Sequence, residues 1–159
     1  MTQVPRESLP VKQAANEDDV ARVNSFFNSK DIKQALHRFT YSTTLERAFE
    51  RDDRRLFYAE EGKEIIGALM IWCESRVLDA DEAQIRLVAV ANGHRSQGVG
   101  KRLCLEAENF ANNYGMERIS ADVASDSRAV EFWRSLGYVL TSEWETDNGR
   151  EMCLMEKPL

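Results

Sequence analysis

The chain has 159 residues, which is the usual size of one domain, so we expect a single domain over residues 1–159. Its composition, 43% hydrophobic and 30% charged, is that of an ordinary globular protein and excludes disordered and fibrous classes. The formal net charge of −6 argues against nucleic acid as the main partner, because clustered Lys and Arg drive phosphate binding. The same charge is compatible with a cationic substrate such as an amine or a basic peptide.

No segment of the sequence has the pattern of a membrane span, a leader or a metal site. The longest apolar run, Ile65–Cys73, covers nine residues, whereas a transmembrane helix needs about 18. The first residues, Met1–Glu7, contain no apolar stretch of the kind found in a signal peptide. Three widely spaced cysteines and two histidines show no ligand spacing. We therefore expect a cytoplasmic protein with reduced thiols, no bound metal and no membrane partner.

The first half of the chain predicts a short strand, two or three helices and a hairpin. Val20, Val23 and Phe27 recur on one face of a helix that Asn16 can cap. Two apolar runs around the turn Glu61–Lys63 are typical of a β-hairpin. The predicted elements are a strand over Pro10–Ala14, helices after Asn16, over Ile32–Phe39 and over Leu45–Phe49 with a loop at Thr40–Thr44, and hairpin strands at Leu56–Ala59 and Ile65–Trp72.

The second half predicts two strand–helix units and a closing hairpin. Alternation places Ile85, Leu87 and Ala89 on one face of the first strand. The dipeptide Asn148-Gly149 is a strong signal for a tight hairpin turn. The predicted elements are a strand over Ala83–Val90, a loop over Ala91–Gln97, a helix over Gly98–Tyr114 ended by Gly115, a strand over Ile119–Val123, a helix over Asp126–Leu136 ended by Gly137, and hairpin strands at Tyr138–Trp144 and Glu151–Met155.

This order of elements predicts an α+β fold. Antiparallel hairpins dominate, and only one strand–helix–strand crossover occurs, in the middle of the chain. We therefore expect a mixed, mostly antiparallel central sheet of about six to seven strands flanked by about four helices, rather than a doubly wound parallel sheet.

The segment Leu87–Leu103 joins an apolar strand to a helix through a loop that contains glycines. Unpaired N–H groups and the positive end of the helix dipole make such a junction suited to binding an anion. Gly98 and Gly100 would let the anion approach the backbone without a Cβ in the way. Two familiar phosphate loops do not fit, since Val99 replaces the Walker A lysine and Leu103 replaces the third glycine of the dinucleotide fingerprint.

The pattern R-x-x-G-x-G at Arg95, Gly98 and Gly100 resembles the acetyl-CoA signature of the GNAT superfamily of N-acetyltransferases. Its context is similar too, because the hairpin Phe57–Ile71 resembles the family's second and third strands. The run Ala129–Tyr138 likewise resembles the family's A-x-x-F-Y-x-x-x-G-F/Y segment. The resemblance covers about residues 10–156. It implies a GNAT-like fold and an acyltransferase that uses acetyl-CoA as co-substrate and needs no metal.

The resemblance also implies where acetyl-CoA would bind. The pantetheine arm would lie along the main chain of the fourth strand, at Val88, Ala89 and Val90. The pyrophosphate would sit on the loop and the helix start, whose residues are Arg95, Ser96, Gln97, Gly98, Val99, Gly100 and Lys101. Two roles are open for Arg95, which can pair with phosphate or only brace the loop.

Two further positions of the implied cofactor site depart from the family's pattern. Asp126 stands where an asparagine commonly contacts the cofactor arm, and it can equally cap the helix that follows. Trp133 stands where many relatives carry a tyrosine that protonates the departing thiolate. An indole N–H donates a hydrogen bond but cannot deliver a proton near neutral pH. We therefore expect Asp126 and Trp133 at the cofactor site, and we expect that Trp133 does not protonate the departing thiolate.

The general base is harder to place from the resemblance. Family members often have a glutamate at the positions of Gln84 or Arg86, and neither residue is a base. Glu82 is the predicted catalytic carboxylate, with Asp81 and Glu74 as the other acidic residues near strand ends. Water relays are the alternative to a side-chain base.

Together these features predict an N-acetyltransferase that moves an acetyl group from acetyl-CoA to a primary amine by direct attack in a ternary complex. The amine would belong to a small molecule, such as a polyamine or an amino acid, or to a protein. The alternative is a GNAT-fold protein that binds acyl-CoA as a sensor or interaction module without turnover. Relatives often dimerise, so the resemblance also allows a homodimer.

Overall fold

The computed structural model describes residues 10–95 and 97–159, and within them a seven-stranded mixed sheet carries five helices. The strands are β1 (Val11–Gln13), β2 (Arg54–Glu61), β3 (Glu64–Trp72), β4 (Glu82–Val90), β5 (Arg118–Ala124), β6 (Val139–Glu145) and β7 (Glu151–Pro158). The helices are α1 (Glu17–Phe27), α2 (Lys30–Leu36), α3 (Ser42–Glu50), α4 (Val99–Tyr114) and α5 (Ser127–Ser135). The strand order is β1-β2-β3-β4-β5-β7-β6, and the only parallel pair among the described strands is β4–β5. The predicted α+β class is confirmed. No helix in this part of the chain is long and apolar enough to cross a membrane.

Helices cover both faces of the sheet, and each face has its own hydrophobic core. Side chains of β2 alternate between the two, as the period of a strand requires. Leu56 and Tyr58 pack with α1, α2 and α3, whereas Phe57 and Ala59 pack with α4 and α5. The domain is therefore a three-layer arrangement with the sheet in the middle.

The early helices differ in part from the prediction. α2 ends at Leu36 because His37 takes a left-handed conformation with φ 56°. α3 begins at Ser42, inside the predicted loop, so three early helices are present and the total is five in the described chain. Thr40 explains the break, since its N–H donates to Asn28 Oδ1 (2.8 Å) and its carbonyl accepts from Asn28 Nδ2 (2.7 Å). An amide side chain thus holds the backbone in a non-helical shape between α2 and α3.

Strand β4 contains a β-bulge at Arg86. Ile85 and Leu87 pair with consecutive residues of β3, so Arg86 has no residue opposite it. As a result Ile85 packs in the α4–α5 core, whereas Leu87 and Ala89 pack in the α1–α3 core. The predicted common face for these three residues is therefore wrong at Ile85, because one extra residue reverses the alternation.

Strands β4 and β5 are paired along only part of their length. Parallel pairing joins Glu82–Ile85 to Arg118–Ala121 and stops there. Beyond this point β4 stays with β3 at Leu87–Val90, and β5 stays with β7 at Asp122–Ala124. The two strands therefore separate and leave a cleft between their facing edges.

Gly67 of β3 allows the close approach of α4 to the sheet. A Cβ built on Gly67 would lie 2.8 Å from Val99 Cγ1 and 3.1 Å from Leu103 Cδ1, and both side chains are buried. We expect Gly67→Ala to lower the free energy of unfolding by about 1–3 kcal/mol through overpacking, which corresponds to a fall in Tm of about 2–12 °C. In a Val99→Ala background the loss should be much smaller, as calorimetry can measure. An equal loss in both backgrounds would rule out the steric cause.

Candidate functional site

The cleft between β4 and β5 opens into a cavity of about 360 Å³. Its walls come from β4, β5, α5, the end of α2 and the β6–β7 hairpin. The lining residues are Ala35, Leu36, His37, Arg38, Gln84, Ile85, Arg86, Leu87, Val88, Ala121, Asp122, Val123, Ala124, Asp126, Ala129, Trp133, Arg150 and Met152. A second groove, of about 630 Å³, runs over α1 and the β2–β3 turn and touches neither β5 nor α5. The cavity in the cleft is therefore the candidate site.

A row of polar side chains runs along one face of β4 and β5 towards this cavity. Ser120 Oγ donates to Glu82 Oε2 at 2.6 Å. Gln84 Nε2 donates to Ser120 Oγ at 3.2 Å and to Asp122 Oδ1 at 3.3 Å. Glu82, Gln84 and Ser120 are buried, at 6%, 4% and 0% exposure. The row therefore links the paired end of the two strands to Asp122 at the cavity by continuous hydrogen bonds.

Glu82, the predicted base, lies at the paired end of the row and is not among the cavity-lining residues. Its carboxylate accepts from Ser120 and from the Asp79 N–H, and Arg118 Nη1 lies 3.7 Å from its Oε2. Arg118 also pairs with Glu156 and with Asp81, another candidate. This geometry gives Glu82 an internal structural role and leaves its catalytic role a prediction that the position does not favour.

Asp122 is the carboxylate that the structure places in the cleft, on β5 where the strand has left β4. The residue is exposed at the cavity, and its Oδ1 accepts from the buried Gln84. Burial raises its pKa, the nearby Arg86 guanidinium opposes that shift, and the charge of Glu82 adds to it. A carboxylate with a raised pKa in a cavity is a candidate acceptor of protons.

Sequence reasoning did not single out Asp122, although a signal for it was present. Ile119, Ala121 and Val123 alternate towards the α4–α5 core, so Ser120 and Asp122 must point to the other face of β5. Only the splay of β4 from β5 makes that face a cavity wall. Because the splay depends on pairing between strands, the sequence pattern alone did not show it.

Arg86, the bulge residue, brings a cation to the same cavity. Its Nη1 donates to Gln84 Oε1, and its guanidinium lies over the Trp72 ring, 4.7 Å from the centroid. Burial lowers the pKa of Arg86, whereas the charge of Asp122 raises it and that of Arg38 lowers it. The cavity thus holds a partly desolvated cation near a carboxylate, with Gln84 hydrogen-bonded to both.

The β4 residues that we predict to bind acetyl-CoA are Val88, Ala89 and Val90, and they lie where β4 has left β5. The Ala91 N–H donates to the Ile66 carbonyl at 2.8 Å, and main-chain groups alternate sides along a strand. Val88 and Val90 therefore turn their main-chain groups away from β3, towards the cleft, while Ala89 faces β3. The Val90 carbonyl accepts from Arg95 Nε at 3.0 Å, so the Arg95 side chain ties the loop to β4.

The N-terminus of α4 has the features expected of an anion site. Gly98 precedes the helix with φ 84°, and no described side chain caps the first turn. The N–H groups of Val99, Gly100 and Lys101 begin the helix without intrahelical partners. Gln97 Oε1 and Arg102 Nε are buried and have no hydrogen-bond partner among the described residues. Ser96, also predicted here, lies outside the described residues.

Asp126 and Trp133 line the far wall of the cavity, on and before α5. Asp126 is the N-cap of that helix, and its Oδ1 accepts from the N–H groups of Arg128 (3.1 Å) and Ala129 (3.0 Å). Trp133 is 5% exposed and packs edge-on against Tyr138 at 4.9 Å between centroids. Both residues form part of the wall, and the Asp126 carboxylate caps the N-terminus of α5. No group of His, Cys, Asp and Glu side chains within the described ranges could hold a metal ion.

Solved structures with the same fold come from several acetyltransferases. The ribosomal-protein-alanine N-acetyltransferase from Brucella melitensis superposes with a TM-score of 0.77 at 18% identity, covering 95% of this chain and 100% of that one. An aminoglycoside 6'-N-acetyltransferase complexed with coenzyme A gives 0.76 at 13% identity, covering 94% and 97%. The yncA protein from Salmonella typhimurium with its cofactor acetyl-CoA gives 0.76 at 18%, covering 96% and 94%. The resemblance in structure confirms the fold.

The comparison with curated proteins gave no match. The family model described as "Acetyltransferase (GNAT) family" matches residues 21–138, which include β4, the glycine loop, α4, β5 and α5. This match covers most of the chain and both splayed strands, while the cavity residues Arg150 and Met152 lie beyond it. The chain therefore belongs to the GNAT acetyltransferase family.

Proposed function

We propose that the protein is an N-acetyltransferase that transfers the acetyl group of acetyl-CoA to a primary amine. The observation that carries this proposal is the splayed β4–β5 cleft, which places the Asp122 carboxylate in a cavity beside an open edge of β4. The uncapped N-terminus of α4 follows β4 along the chain. Family membership supports the acetyl transfer, and two solved structures of the same fold hold coenzyme A or acetyl-CoA.

The described residues fit acetyl-CoA in two places. Amides of a pantetheine arm would bond to the main-chain groups of Val88 and Val90, which have no strand partner on the cleft side. A pyrophosphate would accept hydrogen bonds from the first N–H groups of α4, where Lys101 adds positive charge. The unpaired Arg102 Nε lies in the same turn. Acetyl-CoA would supply an activated acyl carbonyl for attack by the amine.

We assign Asp122 as the general base that removes a proton from the ammonium form of the acceptor. An ammonium ion has no lone pair, so it must lose a proton before it can attack a carbonyl. Asp122 is the cavity carboxylate whose oxygens are not committed to a helix cap, in contrast to Asp126. The raised pKa of Asp122 makes it a stronger base than an ordinary aspartate, and Gln84 holds one of its oxygens.

No side-chain acid is needed on the departing thiol in this arrangement. A thiol has an ordinary pKa of about 8.5, so it can leave as thiolate near neutral pH. Tyr138, the tyrosine nearest to Trp133, donates its O–H to Glu108 Oε2 at 2.9 Å, and burial raises its pKa. Tyr138 therefore remains protonated in the core and lies outside the cavity lining.

The test of this function is ligand-dependent stabilisation followed by turnover. Acetyl-CoA at about 100 times its Kd should raise the unfolding free energy by about 2.7 kcal/mol, or Tm by about 5–10 °C. ATP and NAD serve as controls and should leave Tm unchanged. The protein should then release CoA from acetyl-CoA only when an amine is added. Absence of a shift at millimolar acetyl-CoA would overturn the donor, and release without any dependence on amine would overturn the transfer.

A further inference from the structure

We propose that the acceptor is a small zwitterion, a primary amine that also carries a carboxylate, and that Arg86 binds the carboxylate. This inference rests on the proposed function, because it names the molecule that the amine belongs to. It assigns Asp122 to the ammonium group and Arg86, supported by Arg38 and Arg150, to the carboxylate, with Gln84 hydrogen-bonded to both Asp122 and Arg86. An amino acid is the class of molecule that presents both charges within a short span.

The cavity contains more cationic than anionic side chains. Three arginines line it, namely Arg38 from the end of α2, Arg86 from the bulge in β4 and Arg150 from the β6–β7 hairpin. Two carboxylates line it, and Asp126 spends its own on the first turn of α5. Both carboxylates keep their negative charge, so three guanidinium groups face two carboxylates in the lining. The local charge is positive although the whole chain is acidic.

These three arginines make no ion pair with a described carboxylate, a property that they share with exposed arginines such as Arg47. Arg22, Arg51 and Arg118 each pair with a described carboxylate at 2.8 Å or closer. Within residues 10–95 and 97–159, the guanidinium groups of the three cavity arginines have no carboxylate within the 4.0 Å limit of an ion pair. Arg38 is exposed to water, whereas Arg86 is partly buried and desolvated. The lack of a carboxylate partner at Arg86 therefore favours an anionic ligand.

Of the three cavity arginines, Arg86 is the best placed to bind a carboxylate. The bulge turns it out of the strand pattern, and contacts with Gln84 and the Trp72 ring hold its guanidinium in position. Its remaining N–H groups can bind a carboxylate in the two-pronged geometry that arginine favours. Gln84 also bonds Asp122, so one side chain fixes the spacing between the two charged groups.

The dimensions of the cavity favour a small acceptor. Its volume of about 360 Å³ lies near the lower end of the range of small-molecule pockets, about 300–1,000 Å³. Part of that volume borders Val88, where the donor arm would lie. The remaining space fits a compact molecule, and the two opposite charges fix its orientation.

The experiment measures CoA release with matched acceptors. Each standard amino acid, together with β-alanine and γ-aminobutyrate, is compared with its carboxamide and with its decarboxylated amine. We expect the best amino acid to exceed both analogues in kcat/KM by about 10- to 100-fold, the effect of one charge-assisted hydrogen bond. Amidation lowers the pKa of the amine and so favours attack, which means that a preference for the acid must come from binding.

Variants then assign the preference to Arg86. Arg86→Gln should raise KM for the amino acid about 10- to 100-fold and raise KM for the carboxamide much less. We expect both acceptors to share any change in kcat, because the Arg86 charge acts on the pKa of Asp122. Arg86→Lys should restore part of the affinity, because it keeps the charge but loses the planar fork. Arg47→Gln is the matched control, since Arg47 is exposed on α3 and does not line the cavity.

The outcomes separate this inference from the proposed function. Equal use of acids and carboxamides, or equal losses for both in Arg86→Gln, would overturn the zwitterion while leaving amine acetylation intact. No CoA release with any acceptor would contradict the function instead. In that case, titration calorimetry measures whether amino acids bind to the CoA-loaded protein. Absence of binding by every amino acid would overturn the zwitterion as well.

Discussion

Asp122→Asn should lower kcat by about 10²- to 10⁴-fold, the usual contribution of a positioned general base, while acetyl-CoA still raises Tm. Asparagine keeps the size of the side chain and can still bond Gln84, but it cannot accept the proton of the ammonium group. The comparison variant is Glu82→Gln, which alters the network around Ser120 and Arg118. We expect it to reduce kcat less than tenfold and to lower Tm. Steady-state CoA release and thermal unfolding measure the two effects.

The pH profile gives an independent measure of the same base. Asp122 must be ionised to accept a proton, so kcat should rise with pH as its carboxyl group ionises. Because burial raises that pKa, the rising limb should lie above the range of an ordinary aspartate. The limb should be lost in Asp122→Asn. If Glu82→Gln loses activity and the limb while Asp122→Asn keeps both, Glu82 is the base.

Gly98→Val should abolish the stabilisation by acetyl-CoA. Gly98 has φ 84°, and a β-branched residue is strained there by about 1–3 kcal/mol. The new side chain would also stand where an anion approaches the first N–H groups of α4. We therefore expect the Tm shift with acetyl-CoA to fall from about 5–10 °C to near zero. Differential scanning calorimetry with and without the ligand measures it.

Gly62→Val is the matched control for this prediction. Gly62 lies in the β2–β3 turn with φ 64°, and a Cβ there would meet no atom within 4 Å. Both variants therefore carry left-handed strain, but only Gly98 lies at the helix N-terminus. A control that keeps the ligand shift at a lowered Tm supports an anion site on α4. An unchanged shift in Gly98→Val would mean that acetyl-CoA binds without this turn.

The features that were predicted from the sequence are those that neighbouring residues determine. The hairpin around Gly62, the helix that begins after Gly98 and the Asn-Gly turn each depend on turn residues and periodicity within a short segment. The fold class and the family followed from these features. The predicted donor positions Val88 and Val90 lie at an open strand edge, and their role in binding stays a prediction.

The features that were missed depend on contacts between distant segments. The bulge at Arg86 is a mismatch between β3 and β4, and a single strand's pattern does not contain it. The loop at Thr40 was predicted, but the end of α2 at Leu36 and the start of α3 at Ser42 were not, and the Asn28 side chain from twelve residues earlier holds Thr40 between them. Asp122 looked like a solvated residue on a strand, because its cavity exists only once β4 and β5 have separated. Catalytic geometry was therefore less predictable than the scaffold that carries it.

Charge shows the same contrast between the whole chain and the site. A net charge of −6 is compatible with a cationic acceptor, whereas three cavity arginines against two carboxylates favour an acceptor with an anionic group. Long-range attraction and local recognition are separate effects, because screening in water removes most interactions beyond about 8–10 Å. The residues that touch the acceptor decide its chemistry.

The partial pairing of β4 with β5 has a consequence for how the domain holds together. Four residue pairs join the two halves of the sheet directly, and beyond them each half ends in an unpaired edge inside the molecule. A bound pantetheine arm would lie between the two unpaired edges and form hydrogen bonds like those of a strand partner. Acetyl-CoA would then stabilise the sheet as well as react, and each release of CoA would leave the two edges unpaired again. Bound acetyl-CoA should therefore couple the two halves of the sheet, and amide hydrogen exchange along β4 and β5 should be slower in its presence.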